Sequence, residues 1–301
     1  MMRNFNIPWG TTRWVLAFSV VIGVCDAGIA QSRPTTTRPT ASEIMEKSDQ
    51  AFYYQGNDMK ADVTMDLITA DGKKQTRALT MLRRNDAGGG NQKYYLYFNQ
   101  PADVRRMSFL VWKYPDKEDD RWVFIPALDL VRRIAASDAR SSFVGSDFNY
   151  EDVSGRDLDA DDHQLIKEEK LGDQDCYVIE STPKKPVDYV QRVSWISKDS
   201  FLPLRVEYYD QQKELARVFT ADKIEQIVFG AEGSTTTQPA TGTGEGKKPK
   251  VFPTVMVRTM KNVKTGHRTE VTYTAVSYDV GLADDIFTER YLRRPPARWI
   301  K

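Results

Sequence analysis

Arg121–Asp152 reads RWVFIPALDLVRRIAASDARSSFVGSDFNYED, and its composition fits neither an ordinary strand nor an ordinary helix. Trp122-Val123-Phe124-Ile125 is a short apolar run stopped by Pro126. Proline cannot donate to a β-ladder, so a strand ends there. Leu128, Leu130 and Ile134 then alternate with Asp129 and Arg133, around Val131-Arg132, with the period of two expected of a half-buried strand. Beyond Ser137 and Asp138 the pattern gives way to aromatics interleaved with carboxylates, from Phe143 through Asp147, Phe148 and Tyr150 to Glu151 and Asp152. Gly145 is a point where backbone can turn or come close to another segment. Ser146 or Asp147 is placed to cap a short helical turn whose positive end would suit Glu151 and Asp152.

Strand signals run outward from this stretch in both directions. Upstream, Val63, Met65 and Leu67 alternate with polar residues, and Asp71-Gly72 signals a hairpin leading into Arg77–Arg84. Tyr94–Phe98 is an aromatic run ended by Pro101, and Met107–Tyr114 is the next strand candidate. Downstream, His163–Lys170, Cys176–Thr182, Val190–Ile196, Leu204–Tyr209 and Arg217–Phe229 follow at the spacing of an antiparallel meander. Val255–Met260 and Thr269–Val276 continue it. Between them, 230–250 is rich in Thr, Gly, Pro and Lys and reads as a disordered hairpin insertion, because it cannot bury a core. Helical spacing occurs near the two ends: Ile44, Met45, Ala51 and Phe52 behind a Ser42 cap, and Ile286, Phe287, Tyr291 and Leu292. The fold class is therefore mainly β with flanking helices.

Residues 1–30 carry Arg3 and Arg13 with an apolar run from Trp14 to Val24, then the small residues Gly28 and Ala30. That is the pattern of a cleavable secretory signal peptide, and the run is short for a membrane span, which needs roughly 20 apolar residues. Residues 31–41 are Pro- and Thr-rich and read as a flexible linker. Residues 42–301 are then a single domain, as β-rich domains of this size often are. Export to a bacterial periplasm is the expectation. Without the leader's Cys25 only Cys176 remains, a small hydrophobe in a strand with no disulfide partner.

The chain has 43 basic and 42 acidic residues; without Arg3, Arg13 and Asp26 the two classes are equal at 41. A neutral protein has no general electrostatic reason to bind nucleic acid or anionic membranes. No phosphate-binding glycine loop, dinucleotide fingerprint or G-x-S-x-G elbow is present. His163 and His267 are far apart in sequence and read as solvated, so neither metal nor cofactor is expected. Asp147, Glu151 and Asp152 would allow a carboxylate pair, but Arg132, Arg133 and Arg140 nearby argue for an ion-pair network instead. Asp157–Asp162 lacks the glycine and terminal glutamate of a calcium loop.

The aromatics allow two accounts. Tyr95, Tyr97, Phe109, Trp112, Trp122 and Phe124 on neighbouring strands either fill the core of a sandwich or line a hollow that holds one apolar ligand.

A resemblance weighs toward the second. Pro126-Ala127-Leu128, Val131-Arg132-Arg133-Ile134, Ser137-Asp138, Ser142-Phe143, Gly145-Ser146-Asp147-Phe148 and Tyr150-Glu151-Asp152 together resemble the outer-membrane lipoprotein-sorting protein family, related to the LolA/LolB-like lipoprotein carriers. The likeness is gap-free over this stretch and extends more loosely from Ser42 to the C-terminus. It implies a half-open antiparallel β-barrel with a helical lid and a greasy interior. It also implies a monomeric carrier, not an enzyme, for lipoprotein acyl chains or phospholipid, with the six aromatics above as lining. Arg132, Arg133, Asp138, Phe143, Gly145, Asp147, Phe148, Tyr150, Glu151 and Asp152 would then form the gate. Docking onto an inner-membrane transporter is the alternative the same resemblance implies.

Overall fold

In the computed structural model the alternating segments become thirteen strands of one antiparallel sheet: β1 (Asp58–Ile68), β2 (Lys74–Asn85), β3 (Gln92–Gln100), β4 (Ser108–Lys113), β5 (Asp120–Ile125), β6 (Leu130–Ile134), β7 (Asp161–Leu171), β8 (Gln174–Pro183), β9 (Gln191–Ser197), β10 (Pro203–Tyr209), β11 (Leu215–Phe229), β12 (Lys250–Asn262) and β13 (Arg268–Tyr278). The structure describes residues 38–86, 90–229 and 249–300. The signal-peptide reading, most of the linker 31–41 and residues 230–248 of the insertion lie outside the described residues. The insertion is nonetheless bracketed by a hairpin, since Phe229 pairs with Lys250. From Pro39 onward the chain forms one compact unit.

The strand order is β6-β5-β4-β3-β2-β1-β13-β12-β11-β10-β9-β8-β7, so β1 meets β13 at the centre and β6 and β7 are free edges. The sheet is thus an open, half-closed barrel. Register shifts at Asp62/Val63 and around Lys223 mark bulges, which add local twist and bend a sheet. Because β6 and β7 lie at opposite edges, residues 135–160 must cross from one to the other. The second half of Arg121–Asp152, after β5 and β6, lies in this crossover.

Each strand presents alternate residues to two faces, and both are apolar in β3–β5. Tyr94, Leu96, Phe98, Phe109, Val111 and Val123 belong to the large core on the inner face. Tyr95, Leu110, Trp122 and Phe124 face outward, under the C-terminal segment that carries Leu282, Ile286, Phe287 and Leu292. That segment is a 3-10 turn (Asp284–Ile286) and a short helix, α3 (Arg290–Arg293). Among the described residues no helix is long and apolar enough to cross a membrane.

Two further helices lie on the inner face. In α1 (Ala41–Tyr53) the Thr40 hydroxyl accepts the Glu43 N–H at 3.2 Å while the Glu43 carboxylate accepts the Thr40 N–H at 2.7 Å. Thr40, not Ser42, is therefore the cap. The reciprocal box needs an acid or amide three residues on, and only Thr40 has one; Ser42 would meet Met45. In the crossover the cap of α2 (Tyr150–Ser154) is Asn149 rather than Ser146 or Asp147: its N–H donates to the Asp152 carboxylate at 2.7 Å. The expected half-buried alternation at Leu128–Ile134 also fails. Pro126–Leu128 forms a 3-10 turn, β6 is an edge strand, and Leu128 and Leu130 are 68% and 43% exposed while Ile134 is buried.

Candidate functional site

The inner face is apolar across most of the sheet, and α1 and the crossover cover it. Ile44 and Met45 of α1 pack on Ile179 and Ile196, and Phe52 packs edge-on against Phe219 with ring centroids 5.9 Å apart. Cover is incomplete. A cavity of about 100 Å³ remains between α1 (Met45, Phe52) and the strand residues Val206, Phe219 and Met260. Phe148 and Asp152 of the crossover close its side. Two smaller cavities of about 30 Å³ each adjoin it along the same face, one toward Tyr94 and Tyr278 and one toward Leu96 and Phe143. Arg258 of β12 lines all three.

Asp49, on the cavity side of α1, has no hydrogen bond or ion pair among the described residues. Burial pushes its carboxyl up to about 6, with Lys113 and Arg192 pulling the other way and Asp157 adding to the rise. It is neutral or charged according to pH in the range where most proteins work.

The crossover is pinned at several places. Phe143 and Tyr150 join Phe109 in an aromatic cluster with centroids 5.3–5.5 Å apart. Val144 (φ +51°) and Gly145 (φ +74°) make a left-handed turn, unusual for a β-branched residue, and the Val144 carbonyl accepts a bond from Arg77. The Asp147 carboxylate accepts from Thr269 Oγ1 at 2.7 Å and bonds His267 Nδ1 at 2.6 Å. Glu151 is held by Arg140 at 2.6 Å and Arg156 at 3.0 Å. Burial alone would raise its carboxyl, but the two guanidinium groups hold it below the usual carboxylate range. Arg156 continues to the fully buried Asp161, which also takes Arg192 at 3.1 Å, and Asp152 pairs with Arg217 at 3.4 Å.

The sequence-derived residues therefore separate into groups. Phe143, Gly145, Asp147, Phe148, Tyr150, Glu151 and Asp152 come together in the crossover on the inner face, and Phe148 and Asp152 reach the main cavity. Arg132, Arg133 and Asp138 are exposed; Arg133 pairs with Asp120 instead of joining the carboxylates. Of the six proposed lining aromatics, Phe109 alone is on the inner face, and it packs away from the main cavity. Tyr95, Tyr97, Trp112, Trp122 and Phe124 pack on the outer face. Both histidines are partly buried and bonded rather than solvated. His163 Nε2 lies 3.0 Å from the Leu158 carbonyl and its Nδ1 lies 2.8 Å from Ser181 Oγ.

Among the other residues around the cavity, Met45, Asp49, Val206, Phe219, Arg258 and Met260 come from four separated segments. One signal for them exists. In β12, Arg258 is in phase with Met256 and Met260, a charge on an otherwise apolar face.

A family profile described as that of an uncharacterized protein matches residues 90–294. No curated protein matches the chain. Among solved structures, a DUF1329 family protein from Desulfovibrio piger is 30% identical, with a TM-score of 0.70 over 84% of this chain and 97% of its own. A domain assigned to an outer membrane lipoprotein-sorting protein of Vibrio parahaemolyticus is 26% identical, with a TM-score of 0.69 over 84% of this chain and 98% of its own. A LolA superfamily protein from Nitrosomonas europaea, at 21% identity and a TM-score of 0.59, covers 84% of this chain and 100% of its own and shares the fold. An open thirteen-stranded half-barrel with its inner face under a helix and a crossover, matched on this scale, places the chain: it belongs to the DUF1329 family and has the LolA-superfamily fold.

Proposed function

We propose that the protein is a periplasmic carrier that holds an acyl chain of a lipid or lipoprotein between α1 and the inner face of the half-barrel, making and breaking no bonds. The observation that carries this reading is the incompletely filled apolar face under α1. An acyl chain needs no directional partner there, and burial contributes about 0.8 kcal/mol per CH₂. The likeness to the lipoprotein-sorting domain supports the same reading. The cavity of about 100 Å³ is smaller than the roughly 300 Å³ at which ligand pockets begin, so a chain is admitted only when α1 swings outward. α1 is the lid in this scheme, and the ion-paired crossover is a fixed wall.

Native mass spectrometry with lipid extraction, on protein from a periplasmic fraction, tests the proposal. A bound phospholipid or acylated peptide is expected, and Val206→Trp, which fills the cavity, should abolish it. A bare mass that stays unchanged after incubation with lipids overturns the carrier reading. One observation favours a second function: exposed Leu128, in the turn before β6, and exposed Leu130 precede the exposed Arg132 and Arg133 of the edge strand β6, as the residues of a docking face for an envelope transporter would. Loss of a transporter from solubilised envelope on Arg132→Glu, with lipid binding intact, would mark that role.

A further inference from the structure

We infer that Arg258 is an anion-binding subsite on the inner face, which receives the carboxylate or phosphate head of a single-chain amphiphile whose tail lies under α1. The inference rests on the carrier reading and adds the chemistry of the ligand's head.

Arginine presents five N–H donors and stays charged at any working pH, so a guanidinium taken out of water normally finds oxygen acceptors. The other arginines around this face do. Arg83 donates to the carbonyls of Tyr53 and Gln55, Arg77 to that of Val144, Arg192 to Asp161, and Arg217 to Asp152 and to the Asp147 carbonyl. Arg258, which is half-buried, has no oxygen partner among the described residues; its Nε is buried without one, as are those of Arg77, Arg83 and Arg192, but each of those three is held through another nitrogen. Its neighbours are rings: the guanidinium carbon lies 5.2 Å from the Tyr273 centroid, 5.5 Å from Phe52 and 5.7 Å from Phe148. Ring faces attract the charge, yet they supply no directional acceptor in the guanidinium plane. Two carboxylates share cavity walls with it: Asp152 is committed to Arg217 and to the Asn149 N–H, and Asp49, on the α1 side of the main cavity, makes no ion pair with it.

Position makes the spare donors useful. Arg258 is the residue common to all three cavities, so an oxyanion bound there can extend a tail into the largest, against Val206, Phe219 and Met260. A planar fork also matches the two oxygens of a carboxylate or phosphate. A neutral head offers hydroxyl and ester oxygens to the donors but no charge to match the guanidinium.

The experiment is displacement of a fluorescent acyl probe from the full chain by palmitate, palmitoyl-lysophosphatidylglycerol and monopalmitoylglycerol, which share a tail and differ in the head. Wild type should prefer at least one anionic ligand over the neutral one by about tenfold or more, the difference a charge-assisted pair makes. The anion preferred identifies the head as carboxylate or phosphodiester. Arg258→Met should erase the preference while still binding monopalmitoylglycerol, and Arg258→Lys should retain part of it; thermal melts establish that both variants are folded. If Arg258→Met keeps the wild-type preference, or if wild type has none, the subsite is refuted and the carrier reading survives. If wild type binds none of the three, both fall.

Discussion

The two faces of strands β3–β5 both carry aromatic residues, three on the inner face and five on the outer, and behave in opposite ways. On the outer face the C-terminal segment closes over Tyr95, Trp112, Trp122 and Phe124 and satisfies most of the polar groups it covers, the Arg84 Nε excepted. The Tyr95 hydroxyl donates to the Tyr291 carbonyl at 2.8 Å, Ser108 Oγ to that of Leu292 at 2.6 Å, and Trp112 Nε1 to that of Phe287 at 2.8 Å. The Asp58 carboxylate takes the N–H groups of Val280, Gly281 and Leu282 at 2.7–3.0 Å. On the inner face the cover leaves three cavities, an arginine without an oxygen partner and a carboxyl without a cation at bonding distance. Aromatic content thus reports burial. What distinguishes a face built for a visitor is unfilled volume together with unused polar capacity.

The contrast is most strongly tested by Phe287→Ala. Phe287 is 1% exposed at the centre of the outer cluster, and truncating such a residue costs about 3–5 kcal/mol. Denaturant unfolding should show that loss, and acyl-probe affinity measured where the variant is still folded should not change. A parallel fall in affinity would mean that the two faces are coupled and that the outer cluster is part of the site.

Asp49→Asn has a smaller effect with a definite sign. Desolvation raises the half-buried carboxyl to about 6, above the ordinary carboxylate range near pH 4, so between these pH values the native state holds a proton that the unfolded state has lost. Stability therefore falls as pH rises from about 4 to about 6, and the penalty is complete above that, on the order of 2–3 kcal/mol. Asparagine removes the penalty. The variant should melt at a higher temperature than wild type at pH 7–8 and at about the same temperature below pH 4. A wild-type melting temperature that is flat across this range would show that Asp49 is solvated, and that α1 stands off the sheet.

The strands were legible because alternation is local. Val63–Leu67 gives its own period, and Asp71-Gly72 falls in the turn joining β1 to β2. Alternation does not say which face of a strand meets which neighbour. Where both phases are apolar, as in Tyr94-Tyr95-Leu96-Tyr97-Phe98, only the distant C-terminal segment decides, and it assigned the lining aromatics to the outer face. Arg140–Glu151 was readable from proximity in sequence. Arg156, Arg192 and Arg217 were not all so, because topology brings β9 and β11 to the crossover. Arg258 was visible as an out-of-character residue in its strand, but its lack of a partner is a property of three dimensions.

The smallest change bears on whether α1 is a lid or a permanent part of the core. Thr40→Ala removes the hydroxyl that accepts the Glu43 N–H and so breaks one half of the capping box, a loss of about 1 kcal/mol confined to the first turn of α1. Thr40 lies outside the cavity, so the substitution touches no ligand contact. If the chain is admitted only when α1 has swung out, cap loss raises the open population by about fivefold, because 1 kcal/mol corresponds to that factor. Stopped-flow mixing with an acyl probe should then show association faster by up to about that amount, with the dissociation rate much less changed. A fixed α1 gives the opposite pattern: an unchanged association rate and a slightly lower melting temperature. The inner face would then admit its ligand from the free edges at β6 and β7, where the sheet is already open.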